Sequence, residues 1–371
     1  MRVVSTVSVL GAGPAGFALA ADLQNHGTNT LLYSHRTHLR HAKAVMETGR
    51  LQLSCKMEGF TNLQLTTDIA EAVAFSKILV LTVPSTGQLT LLNELRHYDL
   101  RFHTIIAIPG NLFSLLKEVD IEAENILETN LSPYSCRMEN DELIVFGRKS
   151  VIHIAAQRTT AVRPGFREEI QSIFPTRLRW CDNVVEVCLA NINGVFHPLM
   201  MLMNAGRIES TDGDFLLYRD GLTRTVANAM EAVDRVRMEV CAMFGMRAAS
   251  AVDISNECYG QTFTNLVDLA RNSPPHNKLR APAGFENRNI SEDVADLMVS
   301  WHGLAERLGV DASPIAAVIV LAEMSTGIDF RETGRNLDKL RLDGVGRGEL
   351  INMFSPHLTS PHLAAPTEAR L

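Results

Sequence analysis

Short apolar runs alternate with helix-like patterns from Thr6 to about Glu128. The near-continuous apolar run Lys77–Val83 predicts a parallel strand that is buried on both faces, and His103–Ile108 repeats this pattern. The predicted strands are Thr6–Leu10, Asn29–Tyr33, Leu51–Ser54, Leu63–Leu65, Lys77–Val83, His103–Ile108 and Asn125–Glu128. The alternation of strand and helix predicts an α/β domain built on a doubly wound sheet.

Two further apolar runs, Leu143–Phe146 and Val151–Ala155, predict a hairpin at the edge of this sheet. A helical pattern over Arg163–Ile173 closes the first domain, which we place at residues 1–181.

The pattern changes after residue 181. Phe215–Met243, Val294–Leu308 and Pro314–Thr326 have helical periodicity, and no clear strand pattern accompanies them. We therefore predict an all-helical domain over residues 182–354. The tail at residues 355–371 contains several prolines and is expected to be flexible.

The first predicted strand runs into a glycine-rich loop that opens a helix. Gly11, Gly13 and Gly16 form G-x-G-x-x-G, with Pro14 and Ala15 between the last two glycines. The first glycine permits a tight turn, the second lets backbone approach a pyrophosphate, and the third lets helix pack on strand. The helix N-terminus adds free N–H groups. We predict a Rossmann-type dinucleotide-binding domain, a glycine turn without a nucleotide being the alternative.

The end of the second strand predicts which dinucleotide binds. An acidic residue there is typical of NAD sites, but this chain has Ser34 and Arg36, with Arg40 one turn later. A hydroxyl and a guanidinium suit a 2′-phosphate, so NADP(H) is favoured over NAD(H) unless Arg36 is simply solvated. Val83 and Pro84, at the end of a later strand, complete the predicted cofactor contacts.

Composition narrows the class of protein. The chain has 371 residues, a hydrophobic content of 46% and a formal net charge of −7, which argues against nucleic acid and membrane surfaces as partners. No stretch is expected to span a membrane, and the first strand begins too early for a signal peptide. Six scattered cysteines without a C-x-x-C pair predict reduced thiols and a cytoplasmic protein.

A metal site is considered because His35, His38 and His41 fall near one face of a helical pattern. No carboxylate or thiolate nearby completes the ligand set, so a surface helix is preferred and no metal is predicted.

Eight short motifs are ordered along nearly the whole chain. They are GAGPAG (11–16), LTVPSTGQ (81–88), IPG (108–110), SPYSCR (132–137), FPTRLRW (174–180), NINGVFHP (191–198), FLLYRDG (215–221) and RNISEDV (288–294). This series resembles the opine dehydrogenases, the octopine/nopaline dehydrogenase family, and most closely their crown-gall octopine branch.

The resemblance implies an amino-terminal Rossmann domain followed by a helical domain, in a monomer or homodimer. It implies that an amino acid condenses with an α-keto acid and that NAD(P)H reduces the resulting imine. Pyruvate is the favoured keto acid and 2-oxoglutarate the alternative. The amino acid stays open among arginine, other basic residues and glutamine.

His197 is the expected catalytic residue because histidine exchanges protons near neutral pH, although between Phe196 and Pro198 it is also compatible with a core position. The resemblance pairs it with Asp293, which would fix the ring tautomer; Asp293 as a simple first-turn acid is the alternative. Arg288 is implied as a substrate carboxylate anchor, with a surface salt bridge as the alternative.

Four more residues are expected to line the substrate pocket. Gln88 is expected to bind the keto acid or the nicotinamide ribose, and Glu128 the amino group or a cationic side chain. Tyr134 and Asn191 lie in the shared motifs.

Two other functions fit the same plan. A 2-hydroxy acid or ketopantoate-type reductase would turn over a keto acid alone, and a non-catalytic NADP(H) sensor would bind cofactor without turnover. The joint presence of His197 and the Arg288–Asp293 segment favours the opine dehydrogenase.

Overall fold

The computed structural model of the protein describes residues 4–157 and 163–356. Its strands are β1 (Thr6–Leu10), β2 (Asn29–Tyr33), β3 (Arg50–Cys55), β4 (Gly59–Asn62), β5 (Gln64–Thr66), β6 (Ile78–Leu81), β7 (Thr104–Ala107), β8 (Asn125–Thr129), β9 (Tyr134–Glu139), β10 (Glu142–Arg148), β11 (Val151–Ala156) and β12 (Arg177–Trp180).

Its helices are α1 (Pro14–Asn25), α2 (Lys43–Thr48), α3 (Ile69–Phe75), α4 (Ser85–Leu95), α5 (Phe166–Gln171), α6 (Val184–Leu189), α7 (Asn193–Leu202), α8 (Ala205–Thr211), α9 (Leu217–Gly221), α10 (Arg224–Met243), α11 (Ala251–Tyr259), α12 (Leu266–Asn272), α13 (Arg288–Ser291), α14 (Val299–Leu308), α15 (Ser313–Thr326), α16 (Phe330–Thr333) and α17 (Arg347–Phe354). A 3₁₀ turn covers Phe113–Leu115, and a π-helical turn covers Asp293–Met298.

Eight strands form the large sheet in the order β12-β11-β8-β7-β6-β1-β2-β5. Neighbouring strands are parallel except β8 and β11, which are antiparallel. The strand order reverses between β1 and β6, which confirms the predicted doubly wound Rossmann-type sheet. The carboxyl ends of β1 and β6 therefore meet at the switch point, where open α/β sheets bind ligands.

The predicted edge hairpin is wrong. β10 pairs with β3 and β9 in a separate four-stranded sheet, whereas β11 pairs with β8 and β12 in the large one. Only Lys149 and Ser150 separate the two strands, and a register shift between Val145 and Gly147 bends the chain from one sheet into the other. β11 is buried along nearly its whole length, which suits the interior of the large sheet.

From α6 to α17 the described residues form helices, with one isolated bridge between Leu216 and Arg280, and the predicted helical second domain is confirmed. The predicted helix Phe215–Met243 is two helices, because Thr223 accepts a hydrogen bond from the Val226 N–H and starts α10. The boundary at residue 182 falls between β12 and α6 and stays a prediction. Most of the predicted flexible tail, 357–371, lies outside the described residues.

By length and composition alone, the segment Val184–Leu202, which contains α6 and α7, is apolar enough to cross a membrane. Glu186, Asn191 and Asn193 interrupt it, so it is not the uninterrupted apolar stretch that the sequence was expected to lack. Moreover, 83% of its apolar window is buried inside the fold, as expected for a core helix. Its apolar side chains pack in a core that continues onto one face of the large sheet.

Candidate active site

A cavity of about 560 Å³ lies between the carboxyl edge of the large sheet and the C-terminal helices. On the sheet side it is lined by Gly13, Pro14 and Ala15 of the β1–α1 loop and by Val83 and Pro84 after β6. The two strand ends that meet at the switch point thus form one wall, as predicted from the sequence.

The glycine loop is closely packed on one side and open on the other. Gly11 has φ +130°, and a Cβ on Gly16 would lie 1.8 Å from the carbonyl oxygen of Gly11, so neither position accommodates a side chain. A Cβ on Gly13 would meet nothing within 4 Å. The open side of Gly13 and the N-terminus of α1 leave room for a pyrophosphate, so these residues fit a dinucleotide.

Both a positive and a negative side chain lie near the end of β2. Arg36 is exposed, but Ser34 is buried and its hydroxyl donates a hydrogen bond to the carbonyl oxygen of His38. Glu94, from α4, accepts a 2.6 Å hydrogen bond from the Tyr33 hydroxyl. The acidic residue that β2 lacks in sequence is therefore brought to its end by another helix.

No group of three metal-ligating side chains occurs in residues 4–157 and 163–356. His35 and His38 instead flank Thr37, whose hydroxyl is within hydrogen-bonding distance of Nδ1 of both rings.

His197 and Asp293 meet at the helical side of the cavity. Nδ1 of His197 lies 2.7 Å from Oδ2 of Asp293, and their side chains are 15% and 8% exposed. An ionised carboxylate only accepts hydrogen bonds, so this contact assigns the proton to Nδ1 and leaves a lone pair on Nε2. The arrangement can hold the ring still while Nε2 exchanges a proton with a substrate.

The pair depends on close helix packing. His197 lies in α7, where a Cβ on Gly194 would approach the ring of Trp301 in α14 to 2.7 Å. Asp293 begins the π-helical turn, in which the carbonyl oxygen of Ala295 also accepts a hydrogen bond from the N–H of Arg335. Such turns often occur at functional sites.

Three ring side chains, Tyr218, His276 and Tyr259, pack in contact with one another beside His197. The Tyr218 hydroxyl lies 3.3 Å from Nε2 of His197, and its ring stacks 4.9 Å from that of His276. His276 also contacts Tyr259 edge-on. Burial, with smaller effects of Lys149 and His197, lowers the pKa of His276 to about 3. His276 is therefore neutral near pH 7 and acts as a packing group.

Charged side chains line the rest of the cavity. Arg288, Lys149, Arg137 and Arg280 contribute positive charge, and Glu292 contributes a carboxyl group. Arg137 pairs with Glu139 and Arg280 with Asp214 at exposed positions. Glu292 accepts a 3.0 Å hydrogen bond from the N–H of Ser85, and burial together with the Asp293 charge raises its pKa.

Three predicted pocket residues do not line this cavity. Gln88 is buried, donates to the carbonyl oxygen of Pro109 and accepts from Arg335. Glu128 is completely buried and accepts from the N–H and hydroxyl of Ser114. Asn191 is also fully buried. All three bond to the segment that follows β7, through Pro109, Ser114 and Asn111 respectively.

The other two predicted substrate-site residues, Arg288 and Tyr134, both line the cavity but differ in their contacts. Arg288 lines the cavity at the start of α13. Tyr134 also lines it, but its hydroxyl donates a 2.7 Å hydrogen bond to Asp22 of α1, away from the histidine. Its described contact is therefore structural.

Sequence reasoning missed Lys149, His276 and Tyr259, and it assigned no role to Tyr218. Tyr218 lies inside the FLLYRDG motif, which was a usable signal. A single lysine between two strands and a histidine in a loop carry no such signal, because only the fold brings them to one cavity.

Two models of known protein families match separate parts of the chain. The octopine/nopaline dehydrogenase alpha-helical domain model matches residues 180–326, and the NAD-dependent glycerol-3-phosphate dehydrogenase N-terminus model matches residues 6–119. Vitopine synthase from Allorhizobium ampelinum is 27% identical over 95% of this chain and 99% of its own. An opine dehydrogenase from Arthrobacter is 29% identical over 92% and 96%.

The fold agrees with these relatives. A solved octopine dehydrogenase in complex with NADH and agmatine superposes with a TM-score of 0.72 at 19% identity, covering 97% of this chain and 100% of the other. The chain is therefore similar to opine dehydrogenases along nearly its whole length, and its residues 180–326 match the helical domain of the octopine/nopaline dehydrogenase family of NAD(P)-dependent oxidoreductases.

Proposed function

We propose that the protein condenses an amino acid with an α-keto acid and reduces the imine to a secondary amine dicarboxylate, with pyruvate as the favoured keto acid. One observation carries the proposal: His197, held 2.7 Å from Asp293, lines the same cavity as the Gly13–Ala15 loop. Bound NAD(P)H supplies the hydride for the imine carbon.

His197 performs the proton transfers in this proposal. Nε2 of His197, which lines the cavity with the Tyr218 hydroxyl 3.3 Å away, takes a proton from the substrate ammonium and produces the nucleophilic amine. The resulting imidazolium donates to the keto oxygen as water leaves. Asp293 stabilises the positive ring and keeps Nδ1 protonated throughout.

Arg288 binds a substrate carboxylate. It lies on the cavity wall at the first position of α13, five residues before Asp293. A guanidinium holds a carboxylate through two parallel hydrogen bonds, which fixes orientation as well as position. The same short segment thus carries the anchor and the partner of the catalytic histidine.

The cofactor loop and strand ends bind the dinucleotide, with NADP(H) preferred over NAD(H). Exposed Arg36 supports this preference, because its guanidinium is free to reach a 2′-phosphate. Glu94 works against it, because a carboxylate at the end of β2 repels a phosphate and suits ribose hydroxyls. Gly11, Gly13 and Gly16 serve either dinucleotide.

The cellular assignment rests on the thiols. All six cysteines are free, and four are buried, which suits the cytoplasm. The proposed partners are the small-molecule substrates, in a monomer or homodimer.

The test is oxidation of NADPH and NADH by the purified protein with pyruvate or 2-oxoglutarate, with and without single amino acids, with product masses determined. We expect oxidation only when both substrates are present, with a product equal to their condensed and reduced mass. Oxidation with a keto acid alone would assign the protein to the 2-hydroxy acid reductases. Tight cofactor binding without turnover would support the sensor.

A further inference from the structure

Lys149 is held rigidly at the corner where the chain passes from the small sheet to the large one. Its N–H donates a 2.8 Å hydrogen bond to the carbonyl oxygen of Pro133. Its own carbonyl oxygen accepts a 2.9 Å hydrogen bond from the Thr176 hydroxyl. These two contacts fix the backbone from both sides, so the direction of the side chain is determined by the fold.

The ammonium group of Lys149 lies inside the cavity wall. The residue is 8% exposed, and Nζ donates a 2.8 Å hydrogen bond to the carbonyl oxygen of Ser132 and lies 5.3 Å from the centre of the Tyr259 ring. No carboxylate of residues 4–157 or 163–356 forms an ion pair with it. An ammonium has three donors, and a buried charge without an anion is strongly disfavoured.

The neighbouring groups do not supply the missing negative charge. Burial raises the pKa of the Cys136 thiol to about 12 and that of the Cys258 thiol to about 11. His276 is neutral near pH 7, and burial likewise raises the pKa of Tyr259. Burial lowers the pKa of Lys149, and the positive charge of Arg288, which also lines the cavity, lowers it further.

Both substrates of the proposed reaction carry a carboxylate, so the product carries two. Arg288 can bind one of them, which leaves the other without a partner. We propose that Lys149 binds this second carboxylate and that Lys149 and Arg288 together select substrates with a carboxylate on each side of the new bond. This inference rests on the function proposed above.

The test compares substrates that have and lack each carboxylate. For the wild type and Lys149→Met, kcat/KM is measured with an amino acid and its decarboxylated amine, and separately with pyruvate and acetaldehyde. We expect Lys149→Met to reduce one of these two carboxylate preferences by about tenfold or more and to leave the other unchanged. The affected pair identifies which substrate Lys149 binds.

Equal preferences in wild type and variant would overturn the Lys149 assignment. Lys56→Met is the matched control, because Lys56 is exposed and outside the cavity wall, and it should change neither preference. A wild type that needs no amine would instead contradict the proposed function, so the two failures are distinguishable.

A second measurement avoids the possibility that Lys149→Met fails to fold. Lysines of the wild type are reductively methylated with NADP⁺ present, and peptide masses follow Lys149 and Lys56. The amino acid with pyruvate should slow modification of Lys149 several-fold, whereas the amine with acetaldehyde should not. Equal rates at Lys149 under both conditions would contradict the proposal.

Discussion

The glycine loop and the histidine–aspartate pair face one cavity but are built differently. Gly11, Gly13 and Gly16 lie within six residues, and their geometry follows from the local strand-turn-helix path. His197 and Asp293 are 96 residues apart and meet only because α7 packs against the π-helical turn. The loop can therefore be recognised from the sequence, whereas the pair forms only in the folded chain.

The glycine loop and the His197–Asp293 pair therefore respond differently to substitutions. The loop tolerates change only where the backbone leaves space, as at Gly13. The pair is sensitive to substitutions at a distance, because Gly194 against Trp301 determines how closely α7 approaches its neighbour. Variants of the two regions should separate cofactor binding from chemistry.

The largest effect is expected from His197→Ala. Removing the proton-exchanging ring should lower kcat by about 10³-fold, while the dissociation constant of NADPH, measured by fluorescence, stays within about twofold because the loop is untouched. The matched control is His97→Ala, because His97 is exposed and lies two residues after the end of α4. Turnover close to wild type would remove His197 from the mechanism.

Asp293→Asn should lower kcat by about 10²-fold, because an amide no longer enforces the tautomer or stabilises the charged ring. The loss should be smaller than for His197→Ala, since the imidazole remains. The pH dependence of kcat should shift as well, and measuring it between pH 6 and pH 9 separates this role from simple packing. A variant with the wild-type pH profile and rate would contradict the pairing.

Gly13→Ala and Gly16→Ala form a matched pair for the loop. The Gly13 methyl group enters open space, so the melting temperature should be unchanged while NADPH affinity falls about tenfold, because the methyl group occupies the pyrophosphate site. The Gly16 methyl group collides with the Gly11 carbonyl and should lower both stability and affinity. Scanning calorimetry and cofactor titration distinguish the two.

Arg36→Ala tests the cofactor preference at the rim of the same region. Loss of a charge-assisted contact to the 2′-phosphate should weaken NADPH binding by about tenfold and leave NADH binding nearly unchanged. Arg40→Ala is the control for loss of local positive charge. Equal weakening of both cofactors would contradict the 2′-phosphate contact.

The smallest effect is expected from Glu128→Gln, which tests whether Glu128 acts as a core residue. Burial raises the pKa of Glu128 above its ordinary value of 4.5, so the folded state binds this proton more tightly. The free energy of unfolding should therefore fall as pH rises from about 4.5 through the folded-state pKa. Denaturant unfolding should show a shallower fall in the variant, and parallel pH curves would contradict this.

Sequence patterns predicted the large sheet well, because buried parallel strands are continuous apolar runs and β1 and β2 match their predicted bounds. The hairpin prediction failed because a two-residue corner does not reveal that the chain changes sheets. Of the pocket residues, Gln88 in α4, Glu128 in β8 and Asn191 between α6 and α7 turn inward and bond to neighbouring protein groups. The pattern of polar and apolar residues cannot show which polar side chain is hydrogen-bonded to a residue from a distant part of the chain.

The sequence by itself determined the dinucleotide loop, the order of strands and helices, and the residue types available for proton transfer, since these depend on local backbone geometry and hydrophobic periodicity. Only the tertiary structure decided that His197 meets Asp293, that Glu94 reaches the end of β2, and that the buried Lys149 pairs with no carboxylate among the described residues. Burial and charge pairing arise from packing between distant segments, and no local pattern encodes them.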